Sequence, residues 1–179
     1  MSTLIPHKPT PPTQLQFGEY NVVDAPAHAL PRALLDYWTS KLDGQLMPKK
    51  SMIDPLEIPT LLPHIGIVDV DHSTGIRFKI RLYGTDVVDV AGEERTGKFI
   101  EDFGEDLPED TRKLLVQRWV NGCTATYEQK KPFFAIGRRA DPQRSFHIVH
   151  TAALPLTTNG TEVDQILGLM VTETDIRQN

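Results

Sequence analysis

The chain has 179 residues, a formal net charge of −5 at pH 7 and a pI near 5.6. This length suits one domain, and the acidic balance argues against a nucleic-acid binder, which needs a surplus of lysine and arginine. The single cysteine, Cys123, excludes an intrachain disulfide and a cysteine-based metal cluster. With no signal-peptide layout and no apolar run of about 18 residues, the expected location is the cytoplasm, without membrane contact.

The first 29 residues differ in composition from the rest, because prolines stand at positions 6, 9, 11, 12 and 26. Proline fixes φ and removes a hydrogen-bond donor, so we expect residues 1–29 to form a proline-rich tail. A short anchored segment within it would use the apolar side chains of Phe17, Tyr20, Val22 and Val23. The domain then covers residues 30–179, with a cap at 30–64 that contains the first helix and a core at 65–175.

The first helix is predicted from Pro31 to about Gly44. Leu35, Trp38 and Leu42 recur at the i, i+3 and i+7 spacing of one helix face. Proline suits an opening helical turn and glycine a helix end.

Two β-strands joined by a short turn are predicted at residues 65–71 and 76–83. In the second strand Phe78, Ile80 and Leu82 alternate with basic residues, so we expect all three side chains on one face. Glycines at 92, 97 and 104 limit the following segment to short helical turns.

A longer helix is predicted from Asp106, which forms a capping-box pattern with Glu109, to about Gly122. Three further strands are predicted at 133–138, 145–156 and 165–172. This order gives an α+β domain: a five-stranded antiparallel sheet with helices between strands 2 and 3, plus an N-terminal helix.

The order of elements and several short segments resemble a stand-alone PAS-like family common in alphaproteobacteria, over about Leu30 to Glu173. The segments that carry the resemblance are Leu35-Asp36-Tyr37-Trp38, Pro48, Ile53-Asp54-Pro55, Leu61-Leu62-Pro63-His64, Arg81-Leu82-Tyr83-Gly84-Thr85, Gly92, Thr96-Gly97-Lys98 and Gln165-Ile166-Leu167-Gly168-Leu169. The resemblance implies a sensory or signalling module that acts in trans through an unidentified protein partner. It also implies a homodimer, for which the candidate interface residues are Leu35, Trp38 and Leu42.

A PAS-like fold places a mostly apolar cavity between its sheet and its central helices. A small molecule bound there would contact side chains from the second strand, the long helix and the later strands. The candidate ligand-binding residues are Phe78, Ile80, Leu82, Tyr83, Leu115, Trp119, Cys123, Phe134, His147, Val149 and Met170. The alternative is that these side chains simply fill a solid core.

No cofactor signature accompanies these residues, so the cofactor is unknown. The predicted long helix has no histidine to bind haem, and the sequence around Cys123 only faintly echoes the flavin-binding run. His147 and His150 are three residues apart on a strand, so they point to opposite faces and predict no metal site.

Catalytic motifs are also missing, and we expect no enzyme activity. The less favoured enzymatic hypothesis is a small-molecule isomerase or dehydratase that uses Tyr83 and Asp86. Two functional hypotheses therefore remain from the sequence: a ligand-sensing module and a ligand-free dimerisation or adaptor domain.

Overall fold

The computed structural model of this chain describes residues 20–139 and 147–174. Most of the predicted tail (1–19) and the beginning of the strand predicted at 145 lie outside these ranges. The described helices and strands are β1 (Tyr20–Val23), α1 (Ala29–Ser40), β2 (Ile65–Asp71), β3 (Arg77–Tyr83), α2 (Thr85–Ala91), α3 (Glu109–Gln129), β4 (Phe133–Arg138), β5 (His147–Leu156) and β6 (Gln165–Thr174). Short 3-10 turns lie at Lys50–Met52, Pro55–Glu57, Leu62–His64 and Ile100–Asp102.

The described strands form one antiparallel sheet in the order β1-β4-β5-β6-β2-β3, so it has six strands rather than the five predicted. The additional strand is β1, which pairs with β4 from Tyr20 opposite Gly137 to Val23 opposite Phe134. Its four residues are too few to show an alternating pattern, and its hydrogen-bonding partner lies more than a hundred residues away in the sequence. The segment expected as tail therefore contributes an edge strand to the sheet.

The two faces of the sheet are covered by different helices. Val149 and Thr151 of β5 point toward α3, whereas His150 points to the opposite face, where its ring lies 5.2 Å from that of His28. His28 caps α1, since its Nδ1 accepts a hydrogen bond from the Leu30 N–H at 3.1 Å. The helices α2 and α3 thus share one face, and α1 covers the other.

The strand β3 departs from the predicted alternation. Phe78 and Ile80 are buried, but Leu82 is 45% exposed. The register with β2 shifts between Ile67 and Val68, which leaves one extra residue in β3. A bulge of this kind reverses the faces of the residues that follow it, so Leu82 turns away from the core and Tyr83 turns toward it.

The predicted interface face of α1 is partly a core face. Trp38 is only 4% exposed, and its indole Nε1 donates to the carbonyl oxygen of Pro155 at 2.9 Å. Trp38 is therefore a core residue in this chain, while Leu35 and Leu42 are half-buried and pack against the same core.

The long helix α3 begins three residues later and ends seven residues later than predicted, at Glu109 and Gln129. Its N-cap is Pro108, and no side chain caps it, so the capping box expected at Asp106 does not form. The helix continues past Gly122 because this glycine is buried against the ring of Phe133, where packing outweighs its poor helix propensity.

Candidate functional site

One row of residues crosses the sheet beneath α3 and leaves an empty space. Strand pairing aligns Tyr83, Gly66, Gly168, Ala153 and Phe133 side by side. The three central members have nothing larger than a methyl group, whereas an aromatic ring stands at each end. The space above this row is a cavity of about 290 Å³. That volume is close to the roughly 300 Å³ at which small-molecule sites begin.

The roof of the cavity is one face of α3. Leu115, Arg118, Trp119, Gly122 and Cys123 all line it, at the i, i+3, i+4, i+7 and i+8 spacing of one helical stripe. The stripe is apolar except for one arginine, so the helix places a single charge among hydrophobic neighbours.

Trp119 has a central position in this roof. Its ring centroid lies 6.1 Å from that of Tyr83 and 5.5 Å from that of Phe103, the second pair in edge-to-face geometry. These contacts fix the indole between the sheet and the turn that precedes α3. A molecule in the cavity would therefore contact a well-positioned aromatic ring.

Arg118 is the charged residue of the α3 stripe, and it lies beside β4 and β1. Arg118 Nη1 donates to the carbonyl oxygen of Arg138 at 2.7 Å, and its guanidinium lies over the ring of Tyr20, 5.2 Å from the centroid. Arg138 belongs to the lining as well, although strand alternation places its side chain on the α1 face. Burial lowers the pKa of Arg118, an effect that the neighbouring Tyr20 opposes.

Two further arginines of the cavity lining bond to the last turn of α2. Arg95 Nη2 donates to the carbonyl oxygen of Ala91 at 3.4 Å, and Arg139 Nη1 donates to that of Asp89 at 3.4 Å. Both acceptors lie in the last turn of α2, which ends at Gly92 in the left-handed conformation with φ +78°. Gly92 is exposed and also lines the cavity, so the cavity reaches the surface beside this residue.

Arg95 is the most buried of these cations, with 2% of its surface exposed. Its Nε donates to Glu93 Oε1 at 2.7 Å, and its guanidinium lies 4.3 Å from the ring centroid of Phe103. Burial alone would raise the pKa of Glu93, but hydrogen bonds from Arg95 and from the Gly104 N–H hold it below its usual value. Glu93 therefore stays ionised and balances the buried charge.

The remaining ionisable groups around the cavity are acids kept neutral by burial. Burial raises the pKa of the Cys123 thiol to about 12 and, against the opposing effect of Arg118, that of Tyr20 to about 12. Burial also raises the pKa of Tyr83, although Arg95 beside it acts in the opposite direction. At neutral pH none of these groups supplies a nucleophile, and Cys123 acts as a small apolar wall residue.

Five predicted ligand-binding residues line the cavity together: Leu115, Trp119, Cys123, Val149 and Met170. Tyr83 forms an end wall behind Gly66, since a Cβ on that glycine would contact the tyrosine ring at 3.5 Å. Phe78 and Ile80 lie on the same face of the sheet but fill the core beyond the cavity.

The structure places the other predicted residues elsewhere. Leu82 is exposed after the bulge, and Phe134 is buried on the opposite face of β4, beside Ala152. His147 lies in a neighbouring depression with His64 and Asp86.

The arginines and the row of small residues are what the sequence predictions missed. A glycine inside a strand indicates a place without a side chain to fill the core, and Gly66 and Gly168 are two such positions. Their alignment depends on strand pairing, which cannot be read from either strand alone. Arg118 had a clearer signal, because it is three residues from Leu115 on the predicted helix.

The hypothetical catalytic pair does not form a joint site. Asp86 lies 3.3 Å from His64 Nδ1 on the surface, whereas Tyr83 is buried against Trp119. Within residues 20–139 and 147–174, no group of three or more histidine, cysteine or acidic side chains is arranged to hold a metal ion. None of the helices in these ranges is long and apolar enough to cross a membrane.

A family model described as PAS domain matches residues 27–171, which is most of the chain. The chain belongs to the PAS domain family. PAS domains are in general sensory or interaction modules, and the cavity between the sheet and α3 of this PAS domain is consistent with that role. A search of curated proteins found no match.

Proposed function

We propose that this PAS domain is a cytoplasmic sensory module that binds a small molecule in the cavity beneath α3. The observation that carries the proposal is the row of Gly66, Gly168 and Ala153, which leaves about 290 Å³ empty where ordinary side chains would have filled the core. Small domains pack their interiors closely, so a void of this size needs a reason. A bound ligand supplies one.

The signal would pass in trans to a protein partner. Ligand binding changes a partner interaction only if the two conformations of the domain bind the ligand differently. The helix α3 is suited to this coupling, since one of its faces lines the cavity while Asn121, which is outside that lining, is exposed. The homodimer implied by the resemblance stays a prediction. Its surface would include the half-buried Leu35 and Leu42 and the exposed apolar side chains of the cap, Leu46, Met52, Leu56 and Leu62, but not the buried Trp38.

Filling the cavity tests the proposal. Ala153→Leu places three additional carbon atoms above the row, so we expect the unliganded protein to be as stable as wild type or more stable. A screen of small molecules by thermal unfolding should find compounds that raise the Tm of wild type but not of Ala153→Leu. At a hundred times the Kd a ligand adds about 2.7 kcal/mol, which for this chain length corresponds to roughly 5–10 °C.

Ala29→Leu is the matched control, because it makes the same change at an exposed position of α1. It should respond to ligand as wild type does. A compound that stabilises wild type and Ala153→Leu equally would bind elsewhere and contradict the proposal. The ligand-free adaptor hypothesis predicts that no compound distinguishes the two proteins.

A further inference from the structure

We propose that Thr151 determines which ligand this cavity binds, because its hydroxyl forms a hydrogen bond with the one polar group of an otherwise apolar, uncharged molecule. This inference rests on the function proposed above. It names the chemical class of the ligand and the residue that selects it.

Thr151 lies in the floor of the cavity, on the inner strand β5, where it is half-buried beneath α3. Strand pairing places it between Met170 of β6 and Ala135 of β4, and Val149 and Ala153 flank it on the same face of β5. All four neighbours are apolar. The threonine therefore places a polar side chain among hydrocarbon groups, one row away from the small residues that leave the cavity empty.

No hydrogen bond joins the Thr151 hydroxyl to the part of the chain that the structure describes. The fully buried Thr126 and Thr157 do have such bonds. The Thr126 hydroxyl donates to the carbonyl oxygen of Gly122 at 2.8 Å, and that of Thr157 donates to Asn159 Oδ1 at 3.3 Å. A hydroxyl without a partner in an apolar site is unfavourable, and a ligand with one polar group supplies the partner.

The charged side chains of the lining already have partners within the protein. Arg95 is paired with Glu93, and the guanidinium groups of Arg118 and Arg139 donate to main-chain carbonyl oxygens at 2.7 and 3.4 Å. An anion would compete with these partners for the guanidinium donors, and a cation would be repelled by the arginines. An uncharged molecule meets neither obstacle, so the lining favours a neutral ligand.

The other walls give the rest of the ligand an apolar surface. They include the side chains of Val68, Leu115, Trp119, Phe133 and Ile166. The volume of about 290 Å³ accommodates about ten non-hydrogen atoms at roughly 30 Å³ each. A compact bicyclic hydrocarbon that carries one hydroxyl group has this size and this polarity.

A purely structural role for Thr151 is the competing explanation, because threonine is common in strands and a water molecule in the cavity would satisfy its hydroxyl. Thr151→Val removes the hydroxyl but keeps the branched shape and the strand preference, whereas Thr151→Ser keeps the hydroxyl. Among the described residues of the lining, Tyr20 has the other hydroxyl, on the edge strand β1. Tyr20→Phe therefore tests whether that group selects the ligand instead.

The experiment uses four probes with one bicyclic skeleton and the full chain: indane, 2-indanol, 2-aminoindane and indane-2-carboxylate. Indane has no polar group, 2-indanol has one uncharged hydroxyl, and the other two are a cation and an anion at neutral pH. Affinities are measured by calorimetry for wild type and for Thr151→Val, Thr151→Ser and Tyr20→Phe. The matched control is Thr39→Val at an exposed position of α1, and urea unfolding shows that each variant is folded.

We expect wild type to bind 2-indanol about fivefold more tightly than indane, which is the net effect of one hydrogen bond. Both charged probes should bind at least tenfold more weakly than 2-indanol. Thr151→Val should lose the preference for 2-indanol over indane, and Thr151→Ser should retain it. Thr39→Val should bind all four probes as wild type does.

The results that would overturn the inference differ in what they say about the proposed function. If indane or a charged probe binds wild type as tightly as 2-indanol, or if the preference survives in Thr151→Val, the cavity binds ligands without selection by Thr151. The function proposed above then stands, and loss of the preference in Tyr20→Phe would assign the selection to that residue. If none of the four probes binds, the inference is wrong, and the screen with Ala153→Leu decides separately whether the cavity is a site at all.

Discussion

The charge of Arg95, the most buried arginine of the cavity lining, is compensated by its neighbours. Arg95 is almost fully buried, yet Glu93 and the ring of Phe103 surround it. Removing one partner of a buried ion pair leaves the other uncompensated, which costs about 3–5 kcal/mol. Substitution of Arg95 would therefore test folding rather than binding, and Arg118, which is only partly buried, is the better position for a binding test.

A buried thiol gives a prediction about alkaline stability. The pKa of Cys123 is about 12 in the folded protein against 9.0 for an exposed thiol. Between these values the unfolded chain has lost the proton while the folded chain keeps it, so stability falls as pH rises. The unfolding free energies of wild type and Cys123→Ala are measured in urea at a series of pH values. Above pH 9 the unfolding free energy of wild type, relative to that of Cys123→Ala, should fall by up to about 1.4 kcal/mol per pH unit.

Below pH 9 both states hold the thiol proton, and the difference between the two proteins should be constant. The raised pKa values of Tyr20 and Tyr83 also lower stability at high pH, but both tyrosines are present in the two proteins and cancel in the comparison. A difference that stays constant from pH 8 to 10.5 would show that the thiol titrates normally and that its burial is wrong.

At the scale of single elements, the turn between β3 and α2 depends on one glycine. A Cβ on Gly84 would lie 2.3 Å from the carbonyl oxygen of Pro63 and 2.5 Å from that of Leu62. Backbone atoms cannot move aside as a flexible side chain can. The Gly84 N–H also donates to the carbonyl oxygen of Ile65 at 2.7 Å, which holds the two segments together.

Gly84→Ala should therefore lower the unfolding free energy by roughly 2–3 kcal/mol through overpacking, measured by urea denaturation. Gly44→Ala is the control, because its φ is +73° and nothing lies within 4 Å of its Cβ position. That variant carries only backbone strain of roughly 1 kcal/mol. A cost for Gly84→Ala no larger than for Gly44→Ala would mean that the turn relaxes.

The sequence predicts the elements better than it predicts their partners. The strands β2, β4 and β6 begin where alternation and β-branched residues placed them, because these signals are local. The bulge at Leu82 was missed, since it arises from register with β2 and leaves the composition of β3 unchanged. The same limit applies to α3, where packing of Gly122 against Phe133 carries the helix past a residue that usually ends one.

In the candidate site, too, the residues with a local sequence signal are predictable, and those that depend on strand pairing are not. Leu115, Trp119 and Cys123 were found because helical spacing puts them on one face. The row of Gly66, Gly168 and Ala153 beneath them is not predictable from the sequence, because these small residues become aligned only when three strands are paired. Phe134 was assigned to the wrong face for a related reason: nearly all of β4 is buried, so the alternation that would separate its faces is absent.

At the scale of the whole molecule, β1 extends the sheet beyond the residues that match the PAS family. The match begins at residue 27, whereas β1 ends at Val23. The strand covers the edge of β4 and brings Tyr20 to the cavity, where the Arg118 guanidinium lies over its ring. One four-residue strand thus protects an edge and adds a wall residue to the cavity.

Deletion of residues 1–26 tests both roles. Removing β1 exposes the hydrogen-bonding groups of β4, and unpaired edges of this kind associate with other chains. We expect the unfolding free energy to fall by roughly 2–3 kcal/mol, the net value of a few backbone hydrogen bonds, and sedimentation to show self-association that rises with concentration. Deletion of residues 1–18 retains β1 and is the matched control.

The two deletions also distinguish the role of β1 as an edge strand from its role in the cavity wall. If β1 matters only as an edge, the shorter protein at low concentration should bind a compound from the screen with Ala153→Leu as tightly as the control does. If Tyr20 also shapes the cavity and positions Arg118, its loss should weaken binding of that compound several-fold. Equal stability and equal binding in the two deletions would contradict both roles and would make β1 a dispensable addition to the family's fold.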